Sequence, residues 1–223
     1  MVLSWQKLSE GKGDNMFKIN ISDDLEFDKY NRFIDFAFTK SDAFMLVAYR
    51  ESDNVELMFK QPPAEMQLSD EILQMISKSN EEAKKIKCKE IAIFKERTEP
   101  FLAKLEPFLI KKRNSPSEWP GIKVVLREHT SVEINVYRIS DEVKPYLLEP
   151  RSLFNWKYPY FPDDLSFFNN GYCWFASVAH EGYACMFTNT YDDITILQEL
   201  GLNFNVTECD YNMKSLFHED YKA

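Results

Sequence analysis

The sequence lacks the cysteine and histidine spacings that mark metal and redox sites. Its 223 residues contain four cysteines and three histidines, and neither a Cys-x-x-Cys nor a closely spaced histidine pair occurs among them. Scattered cysteines of this kind are typical of reduced thiols in a cytosolic protein. We therefore expect four free thiols, no bound zinc, no cofactor and a cytoplasmic location.

Long apolar runs are also missing. The first 15 residues contain no hydrophobic core of a secretory signal. Elsewhere no apolar run approaches the roughly 20 residues that a helix needs to span a bilayer. The sequence thus predicts no signal peptide and no membrane contact.

Positive charge is scarce in the last third of a chain whose net charge is −9. Residues 158–223 contain ten Asp or Glu and two Lys or Arg, whereas residues 78–113 contain eleven Lys or Arg and six Glu. An acidic surface disfavours nucleic acid, because contacts to phosphates supply most of that affinity. It suits a basic protein partner instead, although the same charges would also serve simple solubility.

Residues 154–190 contain two of the four tryptophans and predict a unit of three strands joined by two turns. The Asn-Asn-Gly at 169–171 and the Glu-Gly at 181–182 supply the turns, because Asn and Gly adopt positive φ at little cost. The middle strand is apolar on both faces, as expected for an inner strand. We therefore expect Trp174 to belong to the core.

The predicted register of this unit separates its two cysteines. A two-residue turn at 181–182 would pair His180 with Tyr183. Because side chains alternate between faces, Cys185 would then share a face with Trp174, and Cys173 would lie on the opposite face. The two cysteines are accordingly expected neither to form a disulfide nor to share a metal.

The remaining patterns predict one α+β domain over residues 1–223, with a possible internal boundary near 114–121. Its core would be a mixed, mostly antiparallel sheet with helices 23–38, 69–87 and 99–112 packed on it. Ser22, Ser69 and Thr98 are the expected helix N-caps. A strand at 43–49 has a candidate hairpin partner at 55–59, and residues 88–94 fit either a helix or a strand.

Four side-chain combinations have possible chemistry, each with a simpler alternative. His180 and Glu181 could form a base with its orienting carboxylate, and Cys173 or Cys185 could act as a nucleophile. Buried cysteine is usually an inert hydrophobe, however. A zinc site from Cys173, Cys185, Cys209 and His180 lacks the usual spacing. Asp163-Asp164 could bind a divalent cation, but a turn or helix cap is the interpretation we prefer.

Candidate partner-binding residues come from the acidic third and from aromatic loops. Tryptophan and tyrosine dominate interface hot spots, although aromatic residues in loops equally pack beneath them. The aspartate pairs at 163–164 and 192–193 are expected to be exposed to solvent. The candidates are Asp163, Asp164, Asp192, Asp193, Glu208, Asp210, Trp119, Trp156 and Tyr160.

Three segments together carry a resemblance. They are Ser117-Glu-Trp-Pro-Gly121, the run from Trp156 to Phe168, and Cys173-Trp-Phe followed by Ala179-His-Glu181. Their combination resembles a group of uncharacterised cytosolic proteins of spore-forming bacteria, some of which carry the label of stage III sporulation protein. The resemblance covers roughly residues 98–190. It implies no catalytic residues, and it implies a sporulation-associated structural role as one possible function.

The charge asymmetry and the lack of a catalytic motif favour a non-catalytic cytosolic protein that binds another protein. A concrete form is an immunity-type protein that occludes a basic toxin with its acidic third. The alternatives are a hydrolase or transferase that uses the His180 region, and the sporulation-associated structural protein.

Overall fold

The computed structural model describes residues 16–25, 27–52, 54–59, 66, 68–114, 116, 118–123 and 130–209. The strands are β1 (Met16–Ile21), β2 (Ala43–Glu51), β3 (Leu109–Asn114), β4 (Glu118–Trp119), β5 (Ile122–Lys123), β6 (Thr130–Arg138), β7 (Asp163–Asn169), β8 (Tyr172–Val178), β9 (Tyr183–Thr188) and β10 (Phe204–Cys209). The helices are α1 (Phe27–Lys40), α2 (Asp70–Ile93), α3 (Glu99–Leu105), α4 (Lys144–Leu148) and α5 (Tyr191–Glu199).

Eight strands form one sheet in the order β10-β1-β9-β8-β7-β2-β6-β3, and β4 pairs with β5 as a separate ribbon. Every pairing among these strands is antiparallel. The predicted α+β class and the single domain are confirmed. Because β3 and β6 pair with each other, the sheet continues across the segment at 114–121.

The sheet buries both of its faces. Helices α1, α3, α4 and α5 contribute to the larger apolar cluster on one face. A smaller cluster covers the other face and includes Trp119 of the β4–β5 ribbon. We call these the helix face and the ribbon face. In the part of the chain that the structure describes, no helix is long and apolar enough to cross a membrane.

The helix predicted at 23–38 is present and has a buried stripe of aromatic and apolar residues, but it does not begin where predicted. Tyr30, Phe33, Ile34 and Ala37 recur at helical spacing and are all buried. The helix begins at Phe27, so the prediction that Ser22 caps it at residue 23 is wrong. The chain before it is held by a different contact.

That contact is made by Asp24. Its carboxylate accepts a hydrogen bond from the hydroxyl of Ser152. It also accepts one from the backbone N–H of Phe154 at 3.0 Å. The Asp24 side chain therefore connects the segment before α1 to the loop at Ser152 and Phe154, instead of capping the first turn of the helix.

Helix α2 starts where the sequence predicts. The hydroxyl of Ser69 accepts a hydrogen bond from the backbone N–H of Ile72, 3.4 Å away. The helix continues to Ile93, so residues 88–93 are helical. The prediction that residues 69–87 pack on the sheet is wrong, because Ile91 is the one buried residue of α2.

Two predictions about the helix that follows α2, its N-cap and its end, are wrong. A π-helical turn, Phe94–Thr98, joins α2 to α3, and Thr98 donates its hydroxyl hydrogen to the Pro159 carbonyl at 2.8 Å instead of capping α3. Helix α3 ends at Leu105 rather than at 112, because Pro107 lacks a backbone N–H. The chain then enters β3.

Strand β2 is central in the sheet and has no local hairpin partner. It pairs with β6 and β7 instead. The predicted partner at 55–59 forms a 3-10 turn, Val55–Met58, so that prediction is wrong. Long-range pairing takes precedence here over the nearest apolar run.

A bulge in β8 overturns the predicted separation of the cysteines. Phe167 pairs with Phe175 and Phe168 pairs with Cys173, so Trp174 is an extra residue in the strand. After an extra residue the alternation of faces shifts by one. Cys173 consequently lies in the ribbon-face cluster together with Cys185.

The turn after β8 also differs from the prediction. Residues 179–181 form a 3-10 turn closed by Gly182 at φ 63°, and Val178 pairs with Tyr183. The pairing of His180 with Tyr183 is therefore wrong. Cys88, Cys173 and Cys185 are free thiols, whereas the side chain of Cys209 lies outside the described residues.

Trp174 is the most informative residue at which to test the fold. Its side chain is 5% exposed, and its indole N–H donates to the Ser41 hydroxyl at 2.9 Å. We expect Trp174→Ala to lower the free energy of unfolding by about 3–5 kcal/mol, as for other large buried aromatics. Urea denaturation measures the change.

Met75→Ala is the control, because that side chain is 73% exposed on α2. We expect its effect to stay within about 0.5 kcal/mol. Equal midpoints for the wild-type protein and the Trp174 variant would place the β8 strand outside the core.

Candidate functional site

Two adjacent aspartates and a histidine converge where β7 begins and β8 ends. Asp163 and Asp164 are 3% and 0% exposed. Each of them and His180 offers a coordinating atom, and these atoms all lie within 4.8 Å of one another. We call this cluster the carboxyl–histidine centre.

The backbone brings the two carboxylates to one side of the sheet. Neighbouring residues in a regular strand point to opposite faces. Met45 pairs with Ser166 and Val47 with Asp163, so β7 uses one residue more than β2 over this interval. Asp164 has a φ of 57°, in the left-handed region that aspartate tolerates better than most residues. Such bulges re-aim side chains.

Asp164 joins three separate pieces of chain. Its Oδ2 accepts a hydrogen bond from the indole N–H of Trp119 at 3.1 Å. Its Oδ1 accepts one from the backbone N–H of Ala179 at 3.2 Å, and the His180 Nδ1 lies 3.9 Å from the same oxygen. The ribbon, the 179–181 turn and β7 therefore meet at one buried carboxylate.

Asp163 lies beside the loop that precedes β7. Its Oδ2 accepts the backbone N–H of Tyr158 at 3.1 Å. Among the described residues no Lys or Arg forms an ion pair with either aspartate, and a buried carboxylate without a cationic partner is costly when ionised.

The electrostatics of the centre follow from this burial. Burial raises the pKa of Asp163 well above its usual range, and the neighbouring charge of Asp164 adds to the effect. Burial also raises the pKa of Asp164 to about 6, although the Trp119 hydrogen bond and His180 oppose the shift. Burial and the two carboxylates raise the pKa of Tyr49. A carboxyl whose pKa is raised towards neutral pH, such as that of Asp164, is suited to acid–base chemistry.

His180 forms the solvent-facing side of the centre. Its side chain is 49% exposed. Its Nε2 lies 3.9 Å from the Glu181 carboxylate, and its Nδ1 faces Asp164. Sequence analysis suggests Glu181 as the orienting carboxylate of His180. It does not predict Asp164 in this role, because the approach of Asp164 to His180 depends on the bulge in β7.

Three of the predicted surface aspartates are buried, so the expectation that they are solvent-exposed is wrong. Asp163 and Asp164 belong to the centre. Asp193 is buried in the first turn of α5, where it accepts a hydrogen bond from Thr188 and pairs with Lys40. It connects α5 to the end of α1.

The loop tryptophans are also buried and do not form a surface patch. Trp119 packs against Tyr49 with ring centroids 6.0 Å apart, next to Asp164. Trp156 is fully buried and donates its indole N–H to the Tyr30 hydroxyl at 2.8 Å. Tyr160 remains exposed, with the Arg97 guanidinium 5.6 Å from its ring. Burial thus favours the core interpretation of both tryptophans.

Asp192 and Glu208 remain exposed, on elements that Phe17 connects. Glu208 pairs with Phe17 across β10 and β1. The Phe17 ring lies 5.1 Å from the ring of Tyr191, which precedes Asp192. We call Tyr191, Asp192 and Glu208 the α5–β10 surface. Asp210 lies outside the described residues.

A polar cleft of about 270 Å³ lies beside the π-helical turn, between Arg50, Phe94 and Tyr158. Arg50 already binds Glu99 at 2.6 Å. Lys87, which stands over the Tyr158 ring, pairs with Glu51 at 2.9 Å. Arg50 and Lys87 are therefore both engaged within the protein.

Comparisons of the chain with protein-family models, with curated proteins and with solved structures find no match. The function must therefore be argued from the geometry itself.

The buried carboxyls make the stability of the protein depend on pH. Because the pKa of Asp164 rises from 3.8 to about 6 on folding, the folded state retains a proton that the unfolded state loses. The free energy of unfolding should fall as pH rises from about 4 to about 6. We expect Asp164→Asn to remove this pH dependence. The difference in free energy of unfolding between the variant and wild type should therefore shift in favour of the variant by up to about 3 kcal/mol as pH rises from about 4 to about 6.

Urea midpoints at both ends of this pH range give the measurement. Asp141→Asn, at an exposed position in a turn, is the matched control and should show no such pH-dependent difference. A constant difference between wild type and Asp164→Asn across the range would contradict the assignment.

Proposed function

We propose that the protein binds a basic protein partner through the α5–β10 surface and has no catalytic role in doing so. The observation that supports this proposal is the distribution of charge. Residues 158–209 contain seven Asp or Glu and no Lys or Arg, and four of these acids, among them Asp192 and Glu208, are exposed.

The environment of this surface favours recognition of a cation. The nearest buried acid, Asp193, already pairs with Lys40, so that lysine does not neutralise Asp192. Tyr191, the residue before Asp192, is 38% exposed. An aromatic ring next to acidic side chains suits a lysine or arginine of a partner, because the ring attracts the cation as well.

The surface also lies at the edge of the sheet. Strand β10 is terminal in the strand order, and an edge strand can pair with the backbone of another chain. A cytosolic immunity-type protein that occludes a basic toxin is the concrete form of this proposal. The sporulation-associated role rests on the sequence resemblance alone and stays a prediction.

A second candidate function is a hydrolase or transferase that uses the His180 region. The observation that favours it is the 3.9 Å approach of the His180 Nδ1 to the buried Asp164 carboxylate. A buried carboxylate can orient a half-exposed imidazole so that the other nitrogen acts as a general base.

Binding kinetics test the first proposal. A partner is captured from a lysate of the native organism and purified. Its association rate is measured at about 50 mM and about 300 mM salt. These values lie on either side of physiological ionic strength, at which charges are screened over about 8 Å. We expect a basic partner whose association slows as salt rises. Asp192→Lys and Glu208→Lys should lower the on-rate more than they raise the off-rate, as charges at the rim of an interface do.

Glu142→Lys is the matched charge reversal, because Glu142 is exposed in a turn far along the chain from this surface. It should leave both rates close to wild type. A neutral or acidic partner, or rates indifferent to salt, would rule out the electrostatic mechanism. Turnover of a small substrate that His180→Ala abolishes would favour the second candidate.

A further inference from the structure

We propose that Asp163, Asp164 and His180 bind one divalent transition-metal ion. The inference does not depend on the proposed protein partner. In the register of β1 and β9, Phe17 pairs with Thr188 and Ile21 with Ala184. The α5–β10 surface therefore lies at the opposite end of these strands from His180.

The spacing of the donor atoms fits a single ion. One coordinating atom from each side chain lies within 4.8 Å of the other two. In a tetrahedral site with bonds of about 2.0–2.2 Å from zinc to oxygen or nitrogen, the ligand atoms lie somewhat closer to one another than these three atoms do. The His180 side chain can move towards the aspartates, because it is the half-exposed member of the three.

The carboxylates are oriented in the way that metal ligands usually are. Ligating carboxylates accept hydrogen bonds from outer groups that fix their direction. Trp119 and Ala179 supply these bonds to Asp164, and Tyr158 supplies one to the Oδ2 of Asp163. These hydrogen bonds therefore fix the direction in which the two carboxylates point.

The charge of the two aspartates also points to a cation. Both side chains are buried, and among the described residues neither forms an ion pair with a lysine or an arginine. A dication would compensate the two negative charges. The left-handed backbone at Asp164, which holds the two carboxylates side by side, is the kind of strain that concentrates at ligand sites.

The donor set indicates the class of ion. Two carboxylates would suit Mg²⁺, Ca²⁺ or Mn²⁺, whereas an imidazole favours Zn²⁺ and its transition-metal neighbours. Three protein ligands leave a position for water, as in catalytic zinc sites. We therefore choose Zn²⁺ as the probe and Ca²⁺ as the comparison ion.

Isothermal titration of the full chain with Zn²⁺ at pH 7.5 tests the site. Cys88→Ser is the background, because that thiol is exposed and could bind zinc adventitiously. We expect one saturable site per chain and a higher melting temperature with zinc. In this background His180→Ala should weaken zinc binding at least about tenfold. Loss of a group that only orients a metal ligand can already weaken binding by this factor, and His180 is proposed as a ligand itself.

Two further variants complete the test. Asp163→Asn should abolish binding, and circular dichroism checks that it folds. If it does not fold, His180→Ala decides the question, because its side chain is half-exposed. His218→Ala, outside the described residues, is the matched histidine control and should leave the affinity unchanged.

The proposal is overturned by any of three results. They are the absence of a saturable site in the Cys88→Ser protein, an affinity that His180→Ala leaves unchanged, and saturable binding of Ca²⁺ without binding of Zn²⁺.

Discussion

The carboxylate of Asp164 is the contact on which the surrounding structure depends most. It accepts hydrogen bonds from Trp119 in the ribbon and from Ala179 in the turn after β8. Hydrogen bonds to an ionised group contribute about 1.5–3 kcal/mol each. They offset part of the cost of burying a charge, and they connect both the ribbon and the turn after β8 to β7.

Acidic side chains have different physical roles in two parts of the structure. Where β7 begins they are withdrawn from water, so their protonation is coupled to folding. On the α5–β10 surface Asp192 and Glu208 stay in water, where charges act mainly on the rate of encounter with a partner. The same excess of acid over base therefore supports two distinct proposals, and only the second is visible in the composition.

The sequence predicts those elements whose signals are local. The aromatic stripe of α1, the cap at Ser69 and the Asn-Gly turn before β8 each rest on neighbouring residues, and the structure contains all three. The α+β class follows from the sum of such signals. Trp174 is buried as expected because its strand is apolar on both faces.

The failures that matter for the site involve contacts that are distant in sequence. One extra residue at Trp174 reverses the predicted faces of the two cysteines. One left-handed residue at Asp164 turns an apparently exposed acidic pair into a buried one. No propensity identifies either event, since each is fixed by pairing with another strand. For the same reason the sequence leaves Trp119 equally suited to a surface patch or to the core, because its partner Asp164 lies 45 residues away.

The central claim is that Asp164 holds the Trp119 indole in a buried hydrogen bond. An NMR measurement of hydrogen exchange at the tryptophan indoles, with ¹⁵N labelling, addresses it directly. The claim predicts that the Trp119 indole N–H exchanges slowly in the wild-type protein, and that Asp164→Ala makes its exchange fast while the Trp156 indole stays protected. Rapid exchange at Trp119 in the wild-type protein, or protection that survives Asp164→Ala, would contradict it.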